Sequence, residues 1–206
     1  MSVADLPKRL PAPWSRATTH PFLSAVRDGT LPTPAFDAWL AQDYRFVRDL
    51  LAFQARLLAR APRAAAPVLA GGLVALVEEL GWFEQHAGTR RLDLGAAPLP
   101  ATAAYAALMD ELDRAPVPVA LAALWAVERV YLDAWTSALP GAPQYREFVE
   151  HWTRPEFAAY VHGLATAADG AVAEAGADAD AVESAVGRVL DAEAAFWDMA
   201  WTEGSR

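Results

Sequence analysis

The 206-residue sequence contains no cysteine. This absence excludes disulfide bonds, metal sites held by cysteine and catalysis by a thiolate nucleophile. An export signal is not apparent either, because the first 20 residues contain Asp5 and three prolines but no apolar core. The apolar stretch Ala115–Val127 is too short to span a bilayer and contains two prolines. We therefore expect a cytoplasmic protein that has no membrane segment.

Positive charge is scarce in this sequence. Seventeen basic residues stand against 26 acidic ones, which gives a net charge of −9 at pH 7. Binding to nucleic acid depends on a basic face that contacts the phosphate backbone. The arginines at 60, 63, 90 and 91 do not supply such a face. We expect no nucleic-acid partner, and we interpret the acidic excess as a solvated surface.

Few residues are β-branched, alanine is abundant, and alternating strand-like runs between turn pairs are absent. The pattern predicts an all-α protein of about seven helices, separated by prolines and glycines. The first helix is predicted over 15–28. Thr153–Glu156 and Asp180–Glu183 fit capping boxes that start two later helices, with a surface loop within 165–181. Because the connections are short, we predict one domain over 1–206.

Three acidic residues, Asp43, Glu128 and Glu193, lie on helix faces that are otherwise apolar or aromatic. Glu79 and His86 share a similar face. A carboxylate buried without partners costs several kcal/mol or takes up a proton. These acids therefore either satisfy one another as structural hydrogen-bond partners or line a cavity for a polar ligand. In a cavity they would suit general acid–base catalysis.

Eight tryptophans are many for a chain of this length. A stripe of tryptophan and phenylalanine at helical spacing is normally part of the core. Phe46, Tyr105 and Trp152 lie on or beside the faces that carry the acids. They could instead stack on a flat heteroaromatic ligand, and the spacing is compatible with both roles.

Four segments together resemble the motifs of the TenA/thiaminase II family. The resemblance extends over about 13–201, and the two end segments are fairly specific in content, order and spacing. The segments are HPFLSAVRDGTLP at 20–32 with Phe36 to Tyr44 after it, Trp125–Tyr131, Phe148–Phe157, and EAAFWDMAW at 193–201.

This resemblance implies a haem-oxygenase-like all-α bundle that assembles as a homodimer or homotetramer. It implies hydrolysis at an aminopyrimidine, with no metal or organic cofactor. Better-known members release 4-amino-5-hydroxymethyl-2-methylpyrimidine from an aminomethyl precursor, which salvages thiamin breakdown products, and can also cleave thiamin. The family has also been labelled a transcriptional regulator, a label that the negative net charge does not support.

The resemblance also implies roles for individual residues. Asp43 matches the acid that binds the amino and ring nitrogens of the pyrimidine, and Glu193 matches an acid that assists proton transfer. Tyr105 matches a pocket tyrosine, whereas Phe46 and Trp152 stand where the family has tyrosines. The predicted substrate-binding residues are Asp43, Tyr44, Phe46, Tyr105, Tyr131 and Trp152.

The nucleophilic cysteine of the family is replaced by Ala123. This departure resembles a branch of the family that lacks the cysteine and carries a glutamate on the same helix, here Glu128. Without a thiolate, water must attack directly or a carboxylate must act as the nucleophile. We predict that Glu128 is the general base or the proton donor to the leaving amine, with Glu193 in the complementary role. Cysteine-free members are associated with acylated aminopyrimidines, so the formylaminomethyl form is a second candidate substrate.

Two alternatives remain open from the sequence. Haem-oxygenase-like domains include non-haem di-iron oxidases, and Glu79, His86 and Glu128 could begin such a ligand set, although the remaining ligands cannot be assembled. The chain could also be a pyrimidine-binding protein that lost its chemistry together with the cysteine.

Overall fold

The computed structural model describes residues 2–204. Within that range the regular structure is entirely helical, so the prediction of an all-α bundle is confirmed. A 3-10 turn, Val3–Asp5, precedes α1 (Leu6–Arg9), α2 (Pro11–Thr18), α3 (Pro21–Asp28), α4 (Thr33–Arg60), α5 (Ala66–Arg90), α6 (Pro100–Leu112), α7 (Val117–Ser137), α8 (Arg146–Thr153), α9 (Pro155–Ala175) and α10 (Ala179–Glu203). Proline occupies one of the first two positions in most of these helices, where its missing N–H costs no hydrogen bond.

The single helix predicted over 15–28 is in fact two helices, α2 and α3. The break lies at His20, which precedes Pro21 and has an extended backbone with ψ of 150°. A residue before proline is driven out of the helical region by the proline ring. His20 then caps α3, because its Nδ1 accepts a hydrogen bond from the Phe22 N–H at 3.1 Å.

Both predicted capping boxes are wrong. Thr153 ends α8, and its hydroxyl donates to the Val149 carbonyl at 2.7 Å instead of capping α9. The cap of α10 is Asp178, whose carboxylate accepts from the Asp180 N–H at 3.0 Å. Because α9 continues to Ala175, the surface loop predicted within 165–181 is a short connection.

Helix α7 forms the centre of the bundle. Residues 118–128 are all buried, and the helix packs against α2, α4, α8, α9 and α10. A helix that is apolar on every side must be surrounded by other elements. Glu128 is therefore held inside the protein by the helix that carries it.

Helix α5 is the one described helix that is long and apolar enough to cross a membrane, with a mean hydropathy of 1.4 over 18 residues, of which 22% are buried. It packs against α4 and α9, while Val74 and Val77 on its other side are about 60% and 59% exposed. The sequence analysis considered Ala115–Val127 and overlooked this helix. One such helix is weak evidence for a membrane span, and the cytoplasmic location stays a prediction.

Candidate active site

A cavity lies among α4, α5, α7, α8 and α9. It contains about 560 Å³ of empty space, part of it open to solvent. Its walls are largely aromatic and aliphatic. The polar side chains that line it are Asp43, Glu79, Glu128, Tyr131, His151, Trp152, Arg154 and Tyr160.

Asp43 reaches this cavity from α4 and is 2% exposed. Its Oδ2 accepts a hydrogen bond from the Tyr131 hydroxyl at 2.6 Å. Burial raises the pKa of Asp43 well above its usual value, the bond from Tyr131 opposes this, and the charges of Glu79 and Glu193 add to it. Asp43 therefore tends toward the neutral acid, which can both donate and accept a hydrogen bond.

Glu128 is 6% exposed, and its Oε1 has no hydrogen-bond partner among the described residues. Burial raises the pKa of its carboxyl well above the usual value, and the charges of Glu79, Glu193 and Asp43 raise it further. A buried polar atom without a partner is costly unless water or a ligand satisfies it. Glu128 thus brings to the cavity lining a carboxyl group that favours its neutral form and has one oxygen without a partner.

Glu79 differs from these two acids because its proton is easily lost at neutral pH. Burial raises its pKa to about 7, while a hydrogen bond from Trp152 and the nearby charge of Arg154 oppose the increase. Its side chain is surrounded by protein atoms yet remains partly accessible through the cavity. A carboxyl group with this pKa is suited to accept and return a proton during a reaction.

Glu193 and Tyr105 form a buried pair in which the Tyr105 hydroxyl donates to Glu193 Oε1 at 2.7 Å. Burial raises the pKa of Glu193 to about 8. Among the described residues, the pair is not in the cavity lining. Phe46 does line the cavity, and its ring lies 4.8 Å from that of Tyr105. The pair therefore lies behind Phe46.

The structure thus brings five of the predicted site residues to one cavity and leaves others outside it. Tyr44 lies on the outer side of α4, where its hydroxyl donates to Glu84 Oε1 at 2.9 Å. Adjacent residues on a helix point about 100° apart, so Tyr44 cannot share the direction of Asp43. The five predicted residues at the cavity are Asp43, Phe46, Glu128, Tyr131 and Trp152.

Sequence reasoning missed several residues of the cavity wall, including His151 and Tyr160. His151 stacks on Trp82 at 4.2 Å, and burial lowers its pKa to about 4, with contributions from Arg154 and His86. The imidazole is therefore neutral at pH 7. Gly72, a glycine inside a helix, was an available signal for Tyr160, because a glycine at such a position can leave room for a side chain from a neighbouring helix.

The residues of the di-iron hypothesis are separated in the structure. Glu79 and Glu128 line the cavity, whereas His86 Nε2 contacts Glu147 at 3.4 Å. Within residues 2–204 no group of three His, Asp or Glu side chains is placed to hold a metal ion. The geometry gives that hypothesis no support.

Comparisons with a family model and with a protein of known name both point to one family. A family model described as "TENA/THI-4/PQQC family" matches residues 8–203. A Glycine max protein named "Probable bifunctional TENA-E protein" is 31% identical over 199 residues, which are 90% of this chain and 87% of that protein.

Solved structures share the whole fold. A TenA homologue from Pyrococcus furiosus superposes with a TM-score of 0.90 at 27% identity, covering 98% of this chain and 100% of that one. A protein from Silicibacter described as a TenA family transcription regulator has a TM-score of 0.87 at 20% identity, covering 97% and 96% of the two chains. The second likeness shows the fold alone.

Proposed function

The chain belongs to the TENA/THI-4/PQQC family, and we propose that it is a hydrolase acting on an aminopyrimidine of thiamin salvage. The observation that carries this proposal is the meeting of Asp43, Glu79 and Glu128 in one cavity with aromatic walls. A pyrimidine needs apolar walls for its ring and directional partners for its nitrogens. The name of the Glycine max relative, "Probable bifunctional TENA-E protein", supports a TenA-type activity.

Asp43 is proposed to hold the ring. As a neutral acid it donates to a ring nitrogen and accepts from the neighbouring amino group, which is the pairing that an aminopyrimidine edge offers. Tyr131 fixes the orientation of this carboxyl group through its 2.6 Å hydrogen bond. Phe46 and Trp152 supply aromatic surface beside the ring.

Glu79 and Glu128 are proposed to move the protons. For the formylaminomethyl substrate, Glu79 takes a proton from water while the water oxygen bonds to the formyl carbon. Glu128 gives its proton to the nitrogen, the carbon–nitrogen bond breaks, and the aminomethyl pyrimidine and formic acid leave. For the aminomethyl substrate, the water oxygen replaces the nitrogen on the methylene carbon, and ammonia leaves.

The proton-transfer role of Glu193 stays a prediction. Glu193 forms its hydrogen bond with Tyr105 behind Phe46, and its charge would raise the pKa values of Asp43 and Glu128. Because its pKa of about 8 leaves Glu193 largely neutral at pH 7, Glu79 takes the role in the cavity that complements Glu128 in the proposed mechanism.

Assembly as a homodimer or homotetramer is likewise proposed. Val74 and Val77 leave an apolar face of α5 exposed, and a second copy of the chain would remove that face from water. Light scattering of the purified protein measures the assembly state, and a monomer at micromolar concentration would contradict it.

The test of the proposed function is turnover by the purified protein. We expect ammonia release from the aminomethyl pyrimidine, formate release from the formylaminomethyl pyrimidine, or both. Binding of these pyrimidines without either product would favour a non-catalytic binding protein. Failure to bind them at all would refute the assignment.

A further inference from the structure

Gln54, Gly72 and Tyr160 meet at the cavity wall although they come from three different helices, α4, α5 and α9. Gln54 is fully buried, and its Nε2 donates to the Leu69 carbonyl at 2.8 Å. Its Oε1 accepts from the Tyr160 hydroxyl at 3.0 Å. Because a backbone carbonyl can only accept, the Leu69 oxygen fixes which end of the amide faces Tyr160.

This arrangement commits the single hydroxyl proton of Tyr160 to Gln54. Tyr160 lines the cavity, and its hydroxyl oxygen can then offer only lone pairs to a ligand. Burial raises the pKa of Tyr160 well above its usual value, and the charge of Glu128 raises it further, so the phenol stays neutral. Glu128, with its unpartnered Oε1, is thus a neighbour of Tyr160 in the same cavity.

We propose that Tyr160 determines substrate specificity by accepting a hydrogen bond from the donor on the 5-substituent of the pyrimidine, beside Glu128. This inference rests on the proposed function and deepens it. In the substrates the donor is the N–H of the aminomethyl or formylaminomethyl group. Tyr160 accepts a hydrogen bond from this N–H and so orients the nitrogen, which receives the proton of Glu128 once the water oxygen has bonded to the carbon.

Gly72 makes the arrangement possible. A Cβ at this position would lie within 3 Å of both the Gln54 amide nitrogen and the Tyr160 hydroxyl. The absence of a side chain lets α4 and α9 place these two groups against α5.

The test compares two stable ligands that differ in hydrogen-bonding character at the 5-position. The hydroxymethyl pyrimidine carries a donor, and the methoxymethyl pyrimidine carries only an acceptor. Calorimetry should show that the wild-type protein prefers the hydroxymethyl compound. Tyr160→Phe should reduce this preference by about three- to tenfold, the effect of one neutral hydrogen bond.

A second variant tests the direction of the hydrogen bond. Gln54→Leu frees the Tyr160 proton to donate into the cavity, so the methoxymethyl compound should gain affinity relative to the hydroxymethyl compound. Tyr145→Phe is the matched control, because the Tyr145 hydroxyl is buried and donates to the Leu31 carbonyl away from the cavity lining. It should leave the ratio of affinities unchanged.

The possible failures are distinguishable. If the wild-type protein binds both compounds and Tyr160→Phe keeps the wild-type ratio, the role of Tyr160 is refuted while the proposed function stands. If the wild-type protein binds neither compound, the proposed function fails, and the role of Tyr160 fails with it.

Discussion

Trp152 donates its indole N–H to Glu79 Oε1 at 2.6 Å, which joins α8 to α5 at the wall of the cavity. The bond favours the ionised form of Glu79 and so opposes the effect of burial on its pKa. Glu79 therefore titrates near pH 7, and the indole N–H of Trp152 holds one of its carboxyl oxygens in place.

The first prediction concerns the pH dependence of turnover. If Glu79 is the base, it must be ionised, so kcat/KM should rise with pH up to about 7 and fall about tenfold per pH unit below that value. Glu79→Gln keeps the acceptor for Trp152 but cannot take a proton. We expect its activity to be about 10²–10⁴-fold lower and the acidic limb to disappear.

The control for this measurement is Glu78→Gln, which changes the neighbouring exposed residue on α5. It should show the wild-type profile. An acidic limb that persists unchanged in Glu79→Gln would assign the titration to another group.

The second prediction concerns Glu128 as the proton donor. Glu128→Gln has nearly the same shape but no acidic proton, so kcat on the formylaminomethyl and aminomethyl pyrimidines should fall by about 10²–10⁴-fold. KM should change little, because Asp43 still holds the ring. Glu150→Gln, an exposed site on α8, is the control. Full wild-type turnover of the formylated compound by Glu128→Gln would rule out this role.

Part of this site could be predicted from the sequence. Asp43 and Glu128 stand out because each is an acid among apolar neighbours at helical spacing, and burial of both is confirmed. Glu193 was found by the same pattern and is also buried, but it bonds to Tyr105 behind Phe46.

The rest depended on how the helices pack against one another. Tyr160 reaches the cavity only because α9 packs beside the central helices, and helical spacing within one segment carries no such information. Glu79 was identified by its apolar helix face, but its meeting with Asp43 and Glu128 depends on how α5 packs against α4. The capping box predicted at Thr153 was wrong because the same residues also suit a helix end. The Thr153 hydroxyl donates to the Val149 carbonyl in the last turn of α8.

The third prediction links Glu193 to stability. Its pKa is about 8 in the folded protein and near 4.3 in an unfolded chain. Between these values the unfolded state binds fewer protons than the folded state, so the free energy of unfolding should decrease as pH rises from about 5 to 8. Glu193→Gln stays neutral and can still accept from Tyr105, so the decrease should be smaller by a few kcal/mol, to order of magnitude.

Urea unfolding of both proteins at pH 5 and pH 8 measures this difference. Asp191→Asn, an exposed change on the same helix, should leave the pH dependence as it is in the wild-type protein. Equal slopes for Glu193→Gln and the wild-type protein would mean that Glu193 is ionised in the fold.

The fourth prediction uses two adjacent glycines of α5. A Cβ at Gly71 would meet no heavy atom within 4 Å, whereas at Gly72 it would collide with Gln54 and Tyr160. Alanine in a helix interior is favoured over glycine by up to about 1 kcal/mol, so Gly71→Ala should raise the free energy of unfolding by about that amount and leave activity unchanged. Gly72→Ala should instead lower stability, because overpacking costs about 1–3 kcal/mol.

Gly72→Ala should also weaken turnover, because Tyr160 must move. Thermal unfolding and steady-state kinetics of the two variants measure both effects, and a Gly72→Ala protein as stable and active as Gly71→Ala would show that α5 does not hold Gln54 and Tyr160 in place.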